Sequence, residues 1–127
     1  MRYKFPVLLS LLATIASVRA AEVINIMQQP LPAFSQTQEV NMITVEYQPG
    51  ESTPSHRHNA HTFVYVLEGS VIMQVKGQSP VTLSAGDNYY ETPEDIHILS
   101  KNASDTESAK FLVFFVKPQG VPATVIE

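Results

Sequence analysis

The chain has 127 residues, enough for one domain, and its 12 acidic and 8 basic residues give a formal net charge of −4. An acidic chain with no run of Lys or Arg lacks the basic surface by which proteins bind nucleic acid or anionic lipid. There is no cysteine, so disulfides, cysteine nucleophiles and thiolate metal sites are excluded. Any metal must be bound by nitrogen and oxygen ligands.

The first 20 residues have the layout of a secretory signal peptide. Arg2 and Lys4 give a basic start, residues 5–18 are mostly apolar, and the segment 17–20 has small or medium residues, Val18 and Ala20, at the positions that a signal peptidase reads. We therefore predict a signal peptide at residues 1–20, cleaved after Ala20, and a periplasmic or secreted protein. The alternative is an uncleaved anchor. Because the run is shorter than the ~20 residues needed to cross a bilayer, we expect no stable membrane span.

Beyond the signal peptide the chain is predicted to be all-β. Residues 21–39 form a short strand at 23–27 and a Gln- and Pro-rich connector, and residues 118–127 form a C-terminal tail. Between them, short β-branched and aromatic runs are separated by Gly and Pro, which is typical of an antiparallel sandwich or barrel. The strands are predicted at residues 40–47, 63–67, 71–75, 81–83, 88–91, 97–100 and 110–116.

Two of these runs are apolar on both faces. Residues 63–67 and 111–116 leave no polar side for solvent, so each must be covered twice, by a second sheet or by another subunit. A thick core would explain the pattern, but we expect a homodimer.

The four histidines fall in two short segments. His56, His58 and His61 lie together, and His97 follows about forty residues later. Residues two apart on a strand point to the same side, so His56 and His58 can share a metal ion. His97 begins a separate strand and is the candidate third ligand. The sequence therefore predicts a divalent metal site made of His56, His58 and His97.

This arrangement resembles the first motif of the cupin superfamily: a glycine, five residues, H-x-H, a glutamate three or four residues later, and a second glycine. Here Gly50 is followed by five residues and His56-Arg57-His58, and the motif closes at Gly69. The second cupin motif ends in histidine. The chain keeps its full spacing from Gly86 to His97, with the proline one place late and Asp95 in place of a glycine.

By this resemblance, residues 40–117 form a small antiparallel double-stranded β-helix, the jelly-roll barrel of single-domain cupins, with the metal in its mouth. One departure concerns the motif glutamate, usually a metal ligand, which is replaced by Thr62. Thr62 shares the face of His56 and His58 on a regular strand, whereas His61 points away unless a bulge at residues 59–60 turns it inward as an alternative ligand. Otherwise His61 supports the site from outside or is solvated.

Catalytic residues cannot be assigned from the sequence, although Glu91, near His97, is a candidate ligand or base, and Tyr65 a further candidate base. Three imidazoles leave the charge of Fe, Zn, Mn or Ni unneutralised, which favours a small anionic substrate. By resemblance, the first hypothesis is a dioxygenase-like oxidoreductase. The alternatives are a cupin that binds or senses a small ligand without turnover, and an isomerase or lyase acting on a sugar or keto acid.

Overall fold

The structure is a computed structural model that describes residues 22–127. The predicted signal peptide lies outside these residues. Within them, no helix is long and apolar enough to cross a membrane. The described chain folds into ten strands. They are β1 (Gln38–Tyr47), β2 (Ser52–Thr53), β3 (His56–His58), β4 (His61–Glu68), β5 (Ser70–Val75), β6 (Val81–Ser84), β7 (Asn88–Glu91), β8 (Ile96–Asn102), β9 (Ala109–Pro118) and β10 (Thr124–Ile126).

The strands form two antiparallel sheets. One has the order β1-β9-β4-β7, and the other has the order β10-β3-β8-β5-β6 with β2 also paired to β8. Chain neighbours such as β7 and β8 lie in different sheets, so the connections cross between the layers as in a jelly roll. The predicted all-β, antiparallel fold is confirmed.

The core lies between the sheets and is built by strict alternation. On β4, Thr62, Val64 and Val66 are buried, and the residues between them are partly exposed. On β9, alternate residues from Ala109 to Lys117 are buried in the same way. Period-two burial follows from the pleat, which sends successive side chains to opposite faces. The inner halves of the two doubly apolar runs are therefore covered by the second sheet.

Gly69 makes the turn between β4 and β5 and has a φ of 69°. A Cβ atom built there would lie 2.4 Å from the carbonyl oxygen of Ser108, so no side chain fits without moving the backbone. This close approach, together with the left-handed conformation, explains why the turn ends in glycine.

The prediction of a strand at residues 23–27 was wrong. Residues 23–27 form no strand, because they pair with none of the described strands. Asn88 Nδ2 donates to the carbonyl of Ile26 at 3.2 Å. The C-terminal tail contains the strand β10, which pairs with β3 beside His56 and His58. Pairing of such distant segments leaves no local trace in sequence.

Candidate metal centre

The structure brings His56, His58 and His97 together. One potential ligand atom from each lies within 4.8 Å of the others. His56 and His58 occupy alternate positions on β3, and His97 on β8 is directly paired with His56. The three side chains are almost fully buried. They could hold one divalent cation.

A β-bulge on β8 sets the direction of His97. The β5–β8 register shifts between the pairs Gln74–Leu99 and Val75–His97, which leaves Ile98 as the extra residue. Because of the bulge, His97 and Ser100, three residues apart, both face the interior. A regular strand would have placed them on opposite faces.

The hydrogen bonds of the rings leave nitrogen atoms free for a metal. His56 Nδ1 lies 2.7 Å from the carbonyl oxygen of Pro54. A carbonyl can only accept, so Nδ1 of His56 carries the proton and Nε2 keeps its lone pair. His58 Nδ1 lies 3.1 Å from Oγ1 of Thr124, on the C-terminal strand β10. These contacts fix ring orientation in the way that outer contacts fix metal-binding histidines.

Burial keeps two of the rings neutral. It lowers the pKa of His58 from 6.5 to about 4, and the nearby His56 lowers it further. The pKa of His97 is also lowered to about 4, mainly by burial and then by the other two histidines. At neutral pH both rings are in the uncharged form that binds metals.

Glu91 lies beside this cluster at the end of β7. Its Oε2 atom is 3.4 Å from Nδ1 of His97, and the residue is only 1% exposed. Burial, reinforced by the charge of Asp95, raises the pKa of Glu91 to about 7. Oε2 and both ring nitrogens of His97 are buried without a hydrogen-bond partner. Unpaired buried polar atoms are costly, and a cation bound by His97 would give one of these ring nitrogens a partner.

The other candidates take different positions. Thr62 is fully buried and lines the same cavity, with its hydroxyl donating to the carbonyl of Ala60 at 3.4 Å. His61 lies on the outer face, and its Nδ1 is 2.7 Å from the hydroxyl of Tyr90. Burial alternates without interruption from His56 to Thr62, so no bulge turns His61 inward. Tyr65 also lies on the outer side of β4 and does not line the cavity.

The histidines open into a cavity of about 210 Å³ between the sheets. Most of its wall is apolar, and Glu91 is the acidic residue in it; among the described residues that line it there is no Lys, Arg or Asp. The apolar part of the wall is formed by Ile43, Val45, Val64, Met73, Phe111, Val113, Phe115 and Ile126, among others.

Sequence reasoning missed a second polar group in the same cavity. The hydroxyl of Tyr47 lies 2.8 Å from Oγ of Ser100 and 3.0 Å from Oγ1 of Thr53. These residues are far apart in sequence, and the Ser100–Thr53 pairing comes from the short strand β2. Thr124 was missed as well, because the tail was not expected to pair. No sequence pattern predicts the Tyr47 cluster or the position of Thr124, because both depend on how distant strands pair.

The sequence model of the cupin domain family matches residues 43–115. The chain belongs to the cupin family. Among solved structures, this cupin is similar to a DMSP lyase, DddQ from Ruegeria pomeroyi DSS-3, with 21% identity, a TM-score of 0.60 and coverage of 68% of this chain and 42% of that one. Oxalate oxidase in complex with the substrate analogue glycolate has 24% identity, a TM-score of 0.58 and coverages of 68% and 45%.

Salicylate 1,2-dioxygenase from Pseudaminobacter salicylatoxidans has 27% identity and a TM-score of 0.54, with coverages of 60% and 21%. The cupin thus spans less than half the length of each of these three chains. No significant match was found among curated protein sequences.

The altered second cupin motif has a structural explanation. Residues 92–95 form a turn in which the amide of Asp95 donates to the carbonyl of Thr92 at 3.2 Å. Pro93 occupies the second position of this turn, where its fixed φ is favourable. The Asp95 carboxylate accepts from the amide of Thr92 at 2.7 Å. The turn therefore closes without the motif glycine and still delivers His97 to the cavity.

Proposed function

We propose that this protein is a metal-dependent oxidoreductase of the dioxygenase type that acts on a small anionic molecule. One divalent cation is held by His56, His58 and His97. The observation that carries the proposal is the set of three buried imidazoles within 4.8 Å of one another, with no carboxylate among them. Such a set leaves the charge of the cation uncompensated by its ligands and leaves positions open for a substrate anion.

The cavity wall supports a particular kind of substrate. Since none of the described residues in the wall is Lys or Arg, the bound cation would provide the positive charge that attracts an anion. Apolar side chains such as Val64, Met73 and Phe111 would surround the rest of the molecule. A volume of about 210 Å³ admits a molecule of modest size. We therefore expect a carboxylate or similar chelating anion with a compact apolar body.

The residues of this chain hold and shield the metal, and the metal supplies the redox chemistry. Iron(II) would bring dioxygen reactivity to such a site; zinc, manganese and nickel also bind imidazole. Pro54 fixes the tautomer of His56, and apolar side chains from the two sheets would surround the substrate. The likeness to oxalate oxidase and salicylate 1,2-dioxygenase supports oxidation of a small carboxylate.

Elemental analysis of protein purified without a tag, followed by oxygen-electrode measurements, tests this function. We expect about one metal ion per chain and oxygen uptake with at least one member of a panel of aliphatic and aromatic carboxylates. His97→Ala should abolish both. Metal-dependent binding of a carboxylate without any oxygen uptake would instead indicate a cupin that binds or senses its ligand without turnover.

A second candidate is a lyase or isomerase reaction. It is favoured by Glu91, a buried carboxyl group in the same cavity whose pKa is raised to about 7 by burial, a value suited to a general base. The structural likeness to a DMSP lyase agrees with it. Exchange of substrate C–H hydrogen with deuterated water under anaerobic conditions distinguishes this chemistry, because oxidation by dioxygen cannot proceed there.

We also propose that the protein is exported after removal of residues 1–20. The support is the basic start and the apolar run of the sequence. Mass spectrometry of protein from the native cell envelope or medium should give an amino terminus at Ala21. Recovery of the form starting at Met1 from the cytoplasm would contradict export.

A homodimer through the outer face of the β1-β9-β4-β7 sheet is the proposed assembly. Val40 and Met42 on β1 are 58% and 61% exposed, and they are paired with Val116 and Phe114 on β9. Apolar side chains contiguous on one open sheet face mark an interaction surface. Light scattering should give twice the chain mass, and Met42→Glu should give a monomer. Thr82→Glu, on the exposed side of the other sheet, is the control and should remain dimeric.

A further inference from the structure

Glu91 is the acidic residue of the metal cavity, and no side chain there forms a hydrogen bond with its Oε2 atom. Its side chain is buried, and Oε2 makes no hydrogen bond although it lies 3.4 Å from Nδ1 of His97. Among residues 22–127, no Lys or Arg lines the cavity. A carboxylate in an apolar cavity without a partner is unfavourable, and a cation bound in the same cavity would offset that cost.

The three histidines differ in the group that lies next to the Nδ1 atom of each ring. Nδ1 of His56 faces a carbonyl, Nδ1 of His58 faces a hydroxyl, and Nδ1 of His97 faces a carboxyl group. A carboxylate that accepts from a metal-bound imidazole holds the ring in one tautomer and makes it a better donor to the metal. Glu91 can do this only for His97, since the other two rings already have partners.

Strand pairing also places the charge of Glu91 close to Thr62. Glu91 on β7 is directly opposite Thr62 on β4, and both side chains face the cavity with exposures of 1% and 0%. Directly opposite residues have Cβ atoms about 5 Å apart. A carboxylate at either position therefore lies within about one strand spacing of the other.

We propose that Glu91 is a positioning residue that supplies the negative charge of the metal site through Nδ1 of His97, in place of a charged ligand at position 62. The proposal rests on the proposed metal site. It has two consequences of opposite sign. The charge of Glu91 strengthens cation binding, and it opposes the binding of an anion to the metal that is already bound.

Glu91→Gln tests both consequences, because it removes the charge and keeps the shape. Zn(II) affinity is measured by competition with a chromophoric chelator, and azide binding is measured from the visible spectrum of the Co(II)-loaded protein. We expect Zn(II) affinity to fall by about 10- to 100-fold at unchanged stoichiometry, and azide to bind more tightly. A loss of packing would weaken both. Glu94→Gln removes an exposed acid three residues away and should leave both affinities within twofold.

Moving the carboxylate from position 91 to position 62 tests the proposal even if Glu91→Gln does not fold. Zn(II) affinity lost in Glu91→Thr should return in the double variant Thr62→Glu/Glu91→Thr, which moves the carboxylate to the opposite strand. Failure of this rescue, or Glu91→Gln within twofold of wild type, would overturn the proposal. Complete loss of Zn(II) in Glu91→Gln would also overturn it, since Glu91 would then be a ligand. A wild-type protein that binds no Zn(II) would remove the proposed function and this inference together.

Discussion

The cavity contains two polar clusters that differ in how well their atoms are paired. In the hydroxyl cluster, Tyr47 OH lies 2.8 Å from Ser100 and 3.0 Å from Thr53. In the histidine cluster, both ring nitrogens of His97 and one oxygen of Glu91 are buried without a partner. Both clusters are attached to β8, since Ser100 and His97 face inward on either side of the bulge.

This difference separates a structural role from a binding role. Buried polar groups in folded proteins are nearly always hydrogen-bonded, and an exception needs an explanation. The hydroxyl cluster needs none, because its members satisfy one another and tie β1 to β2 and β8. The histidine cluster has the donor atoms and the neutral rings that a cation requires. We therefore expect the two clusters to respond differently to mutation.

The largest difference between the clusters should appear when one side chain is removed from each of them in separate variants. His58→Ala should reduce bound metal from about one per chain to nearly none, because two nitrogens rarely retain a divalent ion against buffer. Ser100→Ala should keep the metal and lower the free energy of unfolding by about 1–2 kcal/mol, since Tyr47 loses a buried partner. Elemental analysis and urea unfolding measure the two. Loss of metal in Ser100→Ala would show that the clusters are not independent.

The histidine cluster could be anticipated from the sequence because its geometry is local. Residues two apart on β3 must share a face, which groups His56 with His58, and the resemblance to the cupin motifs supplied the spacing to His97. Alternation likewise places Thr62 inside and His61 outside, as the structure has them. Most strands were found for the same reason, since each is a short apolar run ended by Gly or Pro.

The rest depends on pairing between distant segments, which periodicity does not reveal. The bulge at Ile98 exists only in relation to β5. Glu91 was only a candidate ligand or base in the sequence, and its place in the cavity opposite Thr62 depends on the pairing of β7 with β4. Residues 23–27 have the composition of a strand and no neighbouring strand to pair with, whereas Thr124 lies in a segment that does pair.

The acid stability of the metal-free protein should also distinguish the clusters. Because the pKa values of His58 and His97 are lowered to about 4 in the folded state, the unfolded chain binds more protons there between about pH 4 and 6.5. Glu91 acts in the opposite sense between about pH 4.5 and 7, since its pKa is raised to about 7. The effects of the two histidines together exceed the opposite effect of Glu91 by that of one group. The free energy of unfolding should therefore rise by up to about 1.4 kcal/mol per pH unit from pH 4.5 to 6.5.

Urea unfolding at several pH values after treatment with a chelator measures this slope. Glu91→Gln removes the opposing group and should make the slope roughly twice as steep. Ser100→Ala should lower stability equally at every pH, because the hydroxyl cluster does not titrate in this range. A profile for Glu91→Gln parallel to that of wild type would contradict the raised pKa of Glu91 in the metal-free protein.

The smallest effect concerns the partner of His58 on the C-terminal strand. Oγ1 of Thr124 lies 3.1 Å from Nδ1 of His58, and β10 is held beside β3 by three paired positions. Thr124→Val keeps the branched shape that suits a strand and removes the hydroxyl. We expect metal affinity to fall by about tenfold, the low end of the range for such outer contacts, while stoichiometry stays at one.

His61→Ala is the matched control for Thr124→Val, because it also removes a polar contact near the histidines. The ring of His61 is outside the cavity, where its Nδ1 meets the hydroxyl of Tyr90 at 2.7 Å. Metal affinity should therefore stay within about twofold of wild type, since no ligand depends on that contact. A chelator competition assay at pH 7.5 measures both variants. If His61→Ala loses as much metal affinity as Thr124→Val, the contact of Thr124 with His58 has no specific effect on metal binding. A general destabilisation of the β3–β4 region would then explain both results.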